Sequence, residues 1–427
     1  MDIYVGLGSN LGDRRGRIAA ALAALTEAGI EVVDVSPVVE SPALLPEDAP
    51  ADWNRPFLNA AARCRSRLTP EQALDRLKAI EARFGRDTRE HWAPRPIDID
   101  ILLWGRDEIR SERLVVPHPA LTARNFVLAP LVALDARLTI PGLGDRTVLD
   151  WSRDLRHRIP LWMGIVNVTP DSFSDGGEHA TWTAVEARVD AMIEAGAQMI
   201  DLGAESTRPG ARPLSGTEEW SRLEPMLEKL KAKLSEAPLP PLLSVDTYHP
   251  DVARRALALG ADVINDVGGL GSPEMIEVAA ASGADFVAMH SLTVPADRSV
   301  TLPARSDPVD EILRWLDQRM RRWDAAGLAL ERVVLDPGIG FGKNPLQSLE
   351  LLRNVSRFQL SGLRCLVGHS RKSFMAGFTG QDVAHRDLFT IGASLNLCAQ
   401  GVDIIRVHDV PAHVSAYRGW AHLLPAA

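Results

Sequence analysis

Two aspartates spaced two residues apart are the first residues in this chain whose pattern suggests chemistry. In Arg95-Pro96-Ile97-Asp98-Ile99-Asp100-Ile101-Leu102 the carboxylates alternate with isoleucines. Successive side chains of a strand take opposite faces, so Asp98 and Asp100 share one face and Ile97, Ile99 and Ile101 the other. Carboxylates that close repel each other unless a cation lies between them. Mg²⁺ commonly takes one or two carboxylates together with substrate phosphates. Bare, such a pair reads more readily as the solvated face of an edge strand. The neighbouring cations change that reading, because Arg86, Arg89, Arg95, Arg113, His118 and Arg124 fall within one short stretch. Together they carry enough positive charge to neutralise a triphosphate whose charge spreads during transfer.

A second set of polar residues is scattered through the later part of the chain. Eight short apolar runs occur there, at Leu161–Val168, Met199–Leu202, Leu242–Val245, Val263–Ile264, Phe286–Met289, Val333–Leu335, Cys365–Val367 and Ile404–Val407. Their ends carry Asn167, Asp201, Asp246, Asn265-Asp266, His290, Asp336, Ser370-Arg371-Lys372, and Arg406 with His408. Asp246 and Asp336 suit an amidine-like N–C–N edge, since a carboxylate accepts two N–H bonds. Asn265 can donate and accept on the same heterocycle, and Lys372 can donate to its carbonyl. Arg406 and His408 share a strand face and suit a diphosphate. Each of these residues also has a plain structural reading, as a helix cap or a rim ion pair. Two polar loops accompany them. The stretch from Gly164 to Gly177 has the length of a lid, and Glu205 to Gly210 offers Arg208 to an anion. Two other patterns are decoys. Gly6-Leu7-Gly8-Ser9-Asn10-Leu11 lacks the last glycine of a dinucleotide fingerprint. Gly338 to Lys343 lacks both the first glycine and the Ser/Thr of a P-loop. Both are read as turns.

The elements that must position these residues fall into two groups. In the first, Ile3, Val5 and Leu7 alternate as in a strand, and Arg14 to Ala28 is helical, with Ile18, Leu22 and Leu25 on one face and Gly29 as its stop. Val32 to Val39 and Asn59 to Arg67 are strand-like. Thr69-Pro70-Glu71-Gln72 opens a second helix with a capping box and proline at its first position. Ile97 to Leu103 is a fourth strand. The order βαββαβ predicts a ferredoxin-like α+β domain. Pro141 to Asp145 is turn-rich, Arg153 to Arg158 is a charged linker, and the boundary falls near 150–160. After it, helical segments such as Ala184–Ala195, Pro250–Leu259 and Asp310–Ala325 separate the apolar runs. Eight βα units predict an α/β (β/α)8 TIM barrel, whose C-terminal rim would gather the strand-end residues into one pocket. An open doubly wound sheet is the structural alternative.

Composition narrows the function classes. A chain of 427 residues suits two or three domains. Its net charge of −9 argues against nucleic-acid binding, which wants a basic face. No apolar run approaches a membrane span, and residues 1–8 lack the pattern of a secretory signal. Cys64, Cys365 and Cys398 form no CxxC pair, so a reducing, cytoplasmic setting is expected.

These motifs identify the chain with two families. Residues 1–155 resemble 6-hydroxymethyl-7,8-dihydropterin pyrophosphokinase through Gly8-Ser9-Asn10, Phe57-Leu58-Asn59-Ala60, the stretch from Trp92 to Asp100, and Val116-Pro117-His118. Residues 160–427 resemble dihydropteroate synthase. The matches are Asn167 to Gly177, Glu205 to Gly210, Val245-Asp246-Thr247, Asn265-Asp266, Leu335-Asp336-Pro337-Gly338, Ser370-Arg371-Lys372-Ser373 and Arg406-Val407-His408-Asp409. The resemblance implies a bifunctional folate-pathway enzyme. ATP would pass its terminal diphosphate to the pterin hydroxymethyl oxygen, and p-aminobenzoate would then displace diphosphate to give 7,8-dihydropteroate.

For the first step the resemblance implies two Mg²⁺ ions on Asp98 and Asp100. Arg86, Arg95, His118 and Arg124 would meet the phosphates. Ser41, Pro42, Leu44, Phe57, Asn59, Trp92 and Phe126 would form the pterin pocket. For the second it implies pterin on Asp246, Asn265, Asp336 and Lys372, and diphosphate with one Mg²⁺ at Asn167, Arg406 and His408. Phe173, Thr207, Arg208, Pro209, Phe341 and Ser370 would hold p-aminobenzoate. It also implies a homodimer through the barrel, with small molecules as partners and neither nucleic acid nor membrane. The sequence departs from the families in two places. Its basic loop reads GRDTREHW from Gly85 to Trp92, and Met289 to Pro295 replaces the common pattern after the fifth barrel strand.

Overall fold

Alternation in the first residues builds the first sheet. Ile3, Val5 and Leu7 turn one way and are buried, which fixes strand β1 (Asp2–Ser9) against the helices behind it. The computed structural model describes residues 1–86, 92–168, 177–205, 212–297, 299–379 and 383–424. After β1 come α1 (Arg14–Glu27), β2 (Ile30–Val35), β3 (Val39–Ser41), β4 (Phe57–Ser66), α2 (Pro70–Arg83) and β5 (Asp98–Trp104). The sheet order is β2-β4-β1-β5, with every pairing antiparallel and β3 added to β4. This is the split βαβ arrangement of ferredoxin-like domains.

The expected strand from Val32 to Val39 divides in two. Pro37 has no N–H for a ladder, and Ser36 turns its hydroxyl onto the backbone, donating to Pro37 O and accepting from Ala61 N. Helix α2 begins with the expected reciprocal cap, in which Gln72 N donates to Thr69 Oγ1 and Thr69 N donates to Gln72 Oε1. Its inner face joins Ile18, Leu22 and Leu25 of α1 in one core against Ile99 and Ile101. A short hairpin, β6 (Ile109–Arg110) with β7 (Val115–Val116), precedes α3 (Asn125–Leu134) and α4 (Val148–Arg153). Those helices bury Leu128, Leu131 and Leu149 with Tyr4 and Leu102 in a second core.

The chain divides into two compact units, Met1–Ile159 with Ala237–Leu239, and Pro160–Glu236 with Pro240–Ala427. In the second unit β8 (Leu161–Asn167), β9 (Met199–Gly203), β10 (Leu242–Asp246), β11 (Val263–Asp266), β12 (Asp285–Met289), β13 (Val333–Asp336), β14 (Arg364–Val367) and β15 (Ile404–Val407) form a closed barrel of parallel strands. Strand β15 pairs back onto β8, so the sheet has no edge and the open-sheet alternative is set aside. The helices between and after the strands are α5 (Gly177–Ala195), α6 (Gly216–Ser235), α7 (Pro250–Ala258), α8 (Pro273–Ala281), α9 (Pro308–Ala325), α10 (Pro345–Arg353), α11 (Ala376–Thr379), α12 (Val383–Ala399) and α13 (Val410–His422). The strands read as continuous apolar runs because both faces are covered.

Phe286 on β12, Trp323 on α9 and Phe358 are wholly buried in the barrel core, and the Trp323 indole donates to Leu270 O at 3.1 Å. Among the described residues no helix is long and apolar enough to cross a membrane. Phe286→Ala should cost about 3–5 kcal/mol, the usual range for truncating a buried aromatic. A lowered denaturation midpoint for the barrel transition checks this.

Candidate active sites

The face of the first sheet that carries no bulk at its centre becomes a cavity. Gly6 pairs with Asp100 and Gly8 with Asp98 across β1 and β5. Directly paired residues share a face, so the two glycines clear the space above the two carboxylates. The cavity, about 270 Å³, is lined among others by Gly6, Gly8, Asp98, Asp100, Arg86, Arg95, His118 and Arg124. Ser41, Pro42, Leu44, Phe57, Asn59, Trp92 and Phe126 complete its wall. Fifteen lining residues thus meet at one hollow.

 Of the fifteen, thirteen are the residues the resemblance implies, and Gly6 and Gly8 are the two that the strand pairing adds. The turn expected over Gly6 to Leu11 is thus corrected, because Gly6 to Ser9 continue β1.

Charge in this hollow is arranged in a chain. Glu81 of α2 is buried, and it takes both Arg86 and Ile99 N. Arg86 also meets Asp98, and Arg95 meets the other oxygen of Asp98 at 3.0 Å. Burial alone would raise the Asp98 carboxyl, but Arg86 and Arg95 outweigh it and hold it below its usual range. Asp100 is pushed the other way, first by burial and then by Asp98 beside it. It makes no hydrogen bond or ion pair among the described residues. A half-buried carboxylate in that state fits a divalent cation, which would relieve both its desolvation and its repulsion from Asp98. His118 is lowered by burial, against the pull of Asp100, and its Nδ1 accepts from Ala120 N at 3.2 Å. Asn10 and Ser9 fix the entry to β5 by accepting from Arg95 N and donating to Pro96 O. Asn59 donates to Ser41 Oγ at 3.0 Å, which orients both. Arg113 does not join the group, for it pairs with Asp75 at the surface. Arg89 lies outside the described residues.

The second site grows from the C-terminal ends of the barrel strands. Register places Gly203 beside Asn167 on one side and Asp246 on the other, and Asp246 opposite Asn265. A Cβ on Gly203 would stand 3.3 Å from Asp246 Cβ and 3.5 Å from Asn167 Oδ1. Asp201 is wholly buried beneath them. It accepts from Ser244 Oγ at 2.5 Å, Asn265 Nδ2 at 3.2 Å and Arg406 Nε at 2.6 Å. Arg406 also donates to Asp246 at 2.7 Å. Burial pushes the Asp246 carboxyl up to about 7, against Arg406 and Lys372 and with the help of Asp201. Asp336 is raised by burial, offset by Gly338 N, Lys372 and other cations. A Cβ on Gly368 would touch Asp336 and Arg406 together, at 3.6 and 3.8 Å. Asp246, Asn265, Asp336 and Arg406 thus meet at one rim.

Lys372 and the last strand complete that rim. Lys372 Nζ lies 4.0 Å from the centroid of the Phe341 ring, a cation–π contact. His408 Nδ1 lies 2.9 Å from Ser370 Oγ. Arg371, between Ser370 and Lys372, takes φ +57° and is clamped by both oxygens of Asp387. That conformation costs an ordinary residue roughly 1–2 kcal/mol. The amide oxygen of Asn167 is a fitting donor for Mg²⁺, which takes few protein ligands when a phosphate supplies others. Phe173, Thr207, Arg208 and Pro209 lie outside the described residues.

Three functional-looking residues carried no role in the sequence. Asp201 stands out only as a strand end, Glu81 has no signal of its own in the second helix, and Lys343 closes the turn read at Gly338. Lys343 is buried, its amine held well below its ordinary value by burial, and Nζ lies 2.7 Å from His290 Nδ1 and 2.9 Å from His290 O. The turn itself is present, with positive φ at Gly338, Gly340 and Gly342.

Comparison with known proteins matches both halves. Residues 4–136 match the family model described as 7,8-dihydro-6-hydroxymethylpterin-pyrophosphokinase. Residues 163–408 match the one described as pterin binding enzyme. The chain is 38% identical to the folate synthesis bifunctional protein of Chlamydia muridarum, over 98% of each chain. It is 34% identical to a mitochondrial protein of the same name from Arabidopsis thaliana, over 97% of this chain and 82% of that one. Among solved structures it is similar to dihydropteroate synthase from Anaplasma phagocytophilum with bound 6-hydroxymethylpterin-monophosphate. The identity is 39% and the TM-score 0.57, over 62% of this chain and 99% of that one. The Xanthomonas albilineans synthase in complex with 7,8-dihydropteroate matches at 36% identity and TM-score 0.54, over 62% and 95%.

Gly338 supplies a test of how tightly the second rim is built. Its φ is +65°, and a Cβ there would collide with the His290 carbonyl. Gly338→Ala should therefore lose more than the roughly 1–2 kcal/mol of the left-handed penalty alone. Thermal unfolding of the variant against the parent chain measures the difference.

Proposed function

The chain belongs to the family of folate synthesis bifunctional proteins, and from that membership we propose that residues 1–155 carry the first of its two reactions and residues 160–427 the second. Its function is pyrophosphorylation of 6-hydroxymethyl-7,8-dihydropterin by ATP, then condensation of the product with p-aminobenzoate to 7,8-dihydropteroate and diphosphate. Both activities are transferases. The observation that carries the assignment of residues is the pair of convergent polar hollows, one above β5 and one at the barrel rim.

In the first site, Asp98 and Asp100 would hold two Mg²⁺, which when bound neutralise the phosphates and draw electrons from the phosphorus under attack. Arg86 and Arg95 keep Asp98 ionised and, with Arg124 and His118, line the space for the triphosphate. Ser41, Pro42, Leu44, Phe57, Asn59, Trp92 and Phe126 receive the pterin, with Trp92 and Phe126 offering ring faces. The hydroxymethyl oxygen forms a bond to the β-phosphorus, the phosphorus–oxygen bond to AMP breaks, and the hydroxyl proton is released to water. Catalysis here is placement and charge stabilisation.

In the second site, Asp246 and Asp336 accept from the ring N–H groups, Asn265 adds a paired donor and acceptor, and Lys372 donates to the ring carbonyl. Arg406 and His408 receive the diphosphate, and Asn167 would hold one Mg²⁺ there. Phe341 and Ser370, with Phe173, Thr207, Arg208 and Pro209, take p-aminobenzoate. Its amine forms the new C–N bond, the C–O bond to diphosphate breaks, and the amine gives up a proton. The three cysteines are free and buried, which suits a cytoplasmic setting. A homodimer through the barrel unit completes the reading. Leu346 and Leu388, each 70% exposed there, offer apolar surface that a second copy would cover.

Separable losses test the assignment. Asp100→Asn should lower ATP-dependent diphosphoryl transfer by a factor on the order of 10²–10³ while leaving synthase turnover of supplied pterin diphosphate intact. Asp246→Asn should do the reverse. Assaying both half-reactions on each variant checks this, and equal loss of both activities in either variant refutes it. Sedimentation equilibrium should return twice the mass of the 427-residue chain, and a monomer throughout removes the dimer.

A further inference from the structure

Three side chains outside both sites converge at the rim of the barrel unit. Glu205 follows β9, Glu219 stands in the first turn of α6, and His249 precedes α7. One ligand atom from each lies within 4.8 Å of the others. Glu219 is 1% exposed, and the Glu205 side chain is 4% exposed. Each carboxylate is already aimed by a neighbour. Tyr248 OH and Leu214 N donate to Glu205 Oε1 at 2.8 and 3.2 Å, and Thr247 Oγ1 donates to Glu219 Oε2 at 2.8 Å.

What these bonds leave over is the telling part. Glu205 Oε2 is buried and has no hydrogen-bond partner among the described residues, though a buried carboxylate oxygen without one is costly. His249 Nε2 stands 3.7 Å from it, beyond hydrogen-bond range, and lies instead 3.2 Å from Leu214 O. At most a long ion pair joins them, and it gives Oε2 no hydrogen bond. Burial pushes the Glu219 carboxyl up to about 8, opposed by Thr247 and reinforced by Glu205, Asp246 and Asp251. The pocket is short of positive charge. A divalent ion would bring two carboxylates to neutrality.

We propose that Glu205, Glu219 and His249 form a binding site for a divalent transition metal of the Zn²⁺ class, separate from both active sites. An imidazole with two carboxylates is a mixed N/O set that suits Zn²⁺ better than Mg²⁺, with water as the fourth ligand. The bonds from Tyr248 and Thr247 orient the two carboxylates as outer-shell partners do. His249 must turn from Leu214 O to bind through Nε2. His249, 20% exposed, is the ligand nearest solvent and opens the way in. A bound ion would tie the segment after β9, the start of α6 and the segment after β10 into one clamp.

The test uses the full chain, stripped by chelator and dialysed against Zn²⁺ with Mg²⁺ in large excess. Metal per chain is read by elemental mass spectrometry for the parent, His249→Ala and Glu219→Gln, with circular dichroism to establish that each is folded. The parent should retain one more Zn²⁺ per chain than either variant, with affinity at least on the order of 10²-fold tighter. Co²⁺ in the parent should show the visible absorption of a low-coordinate N/O site, which decides the matter even where a variant fails to fold. Equal Zn²⁺ content in the parent and a folded His249→Ala chain overturns the site, as does a Co²⁺ spectrum of purely octahedral character. These readouts are independent of either enzymatic activity.

Discussion

At Arg406 two carboxylates from different strands meet one guanidinium. Its Nε holds Asp201 at 2.6 Å and a terminal nitrogen holds Asp246 at 2.7 Å. Burial would drive Asp246 towards its neutral form, and a neutral acid offers an N–H donor fewer lone pairs. The guanidinium works against that drift. It also sets position, since a planar fork in contact with two strands fixes how far apart their ends stand. Ser244 and Asn265 add to Asp201 from β10 and β11, so four barrel strands share one buried network. A network of that kind is stable only when nearly every member is satisfied.

The first unit solves the same problem with different parts. Arg86 and Arg95 grip Asp98, and Glu81 holds Arg86 from behind. Asp100 is left with its repulsion unresolved. The asymmetry is informative: one carboxylate is held by protein cations, and its neighbour is raised by burial and by that first carboxylate. Space is arranged as carefully as charge. Gly6 and Gly8 leave the cavity above Asp98 and Asp100 clear, while Leu7 between them stays in the core. In the barrel, Gly203 and Gly368 leave the Asp246 and Asp336 carboxylates uncrowded.

Much of this was legible before any coordinates. Alternation exposed β1 and β5, the Thr69 capping box marked the start of α2, and eight apolar runs with polar ends described a barrel. What periodicity cannot reveal is which distant residue will answer a buried charge. Asp201 and Arg406 are 205 positions apart, and nothing near either one names the other. Glu81 sits among helix charges that look solvated, and only the sheet beneath it shows that it is buried. Gly6 and Gly8 resembled a turn because glycine in a strand is disfavoured by propensity. Here the need for an open face overrides that preference. Lys343 was hidden for the same reason as Asp201, since its partner His290 lies on another strand end.

The register of β8, β9 and β10 has a consequence for how this protein can change. Asn167, Gly203 and Asp246 stand side by side, with 3.3 and 3.5 Å between the outer two and any side chain that might replace the glycine's hydrogen. On the proposed roles of Asn167 and Asp246, these positions answer to two selective pressures at once, folding and recognition. Heritable variation that blunts an inhibitor shaped like the pterin ring has little freedom there, and escape would have to be sought in segments that carry only one of those duties.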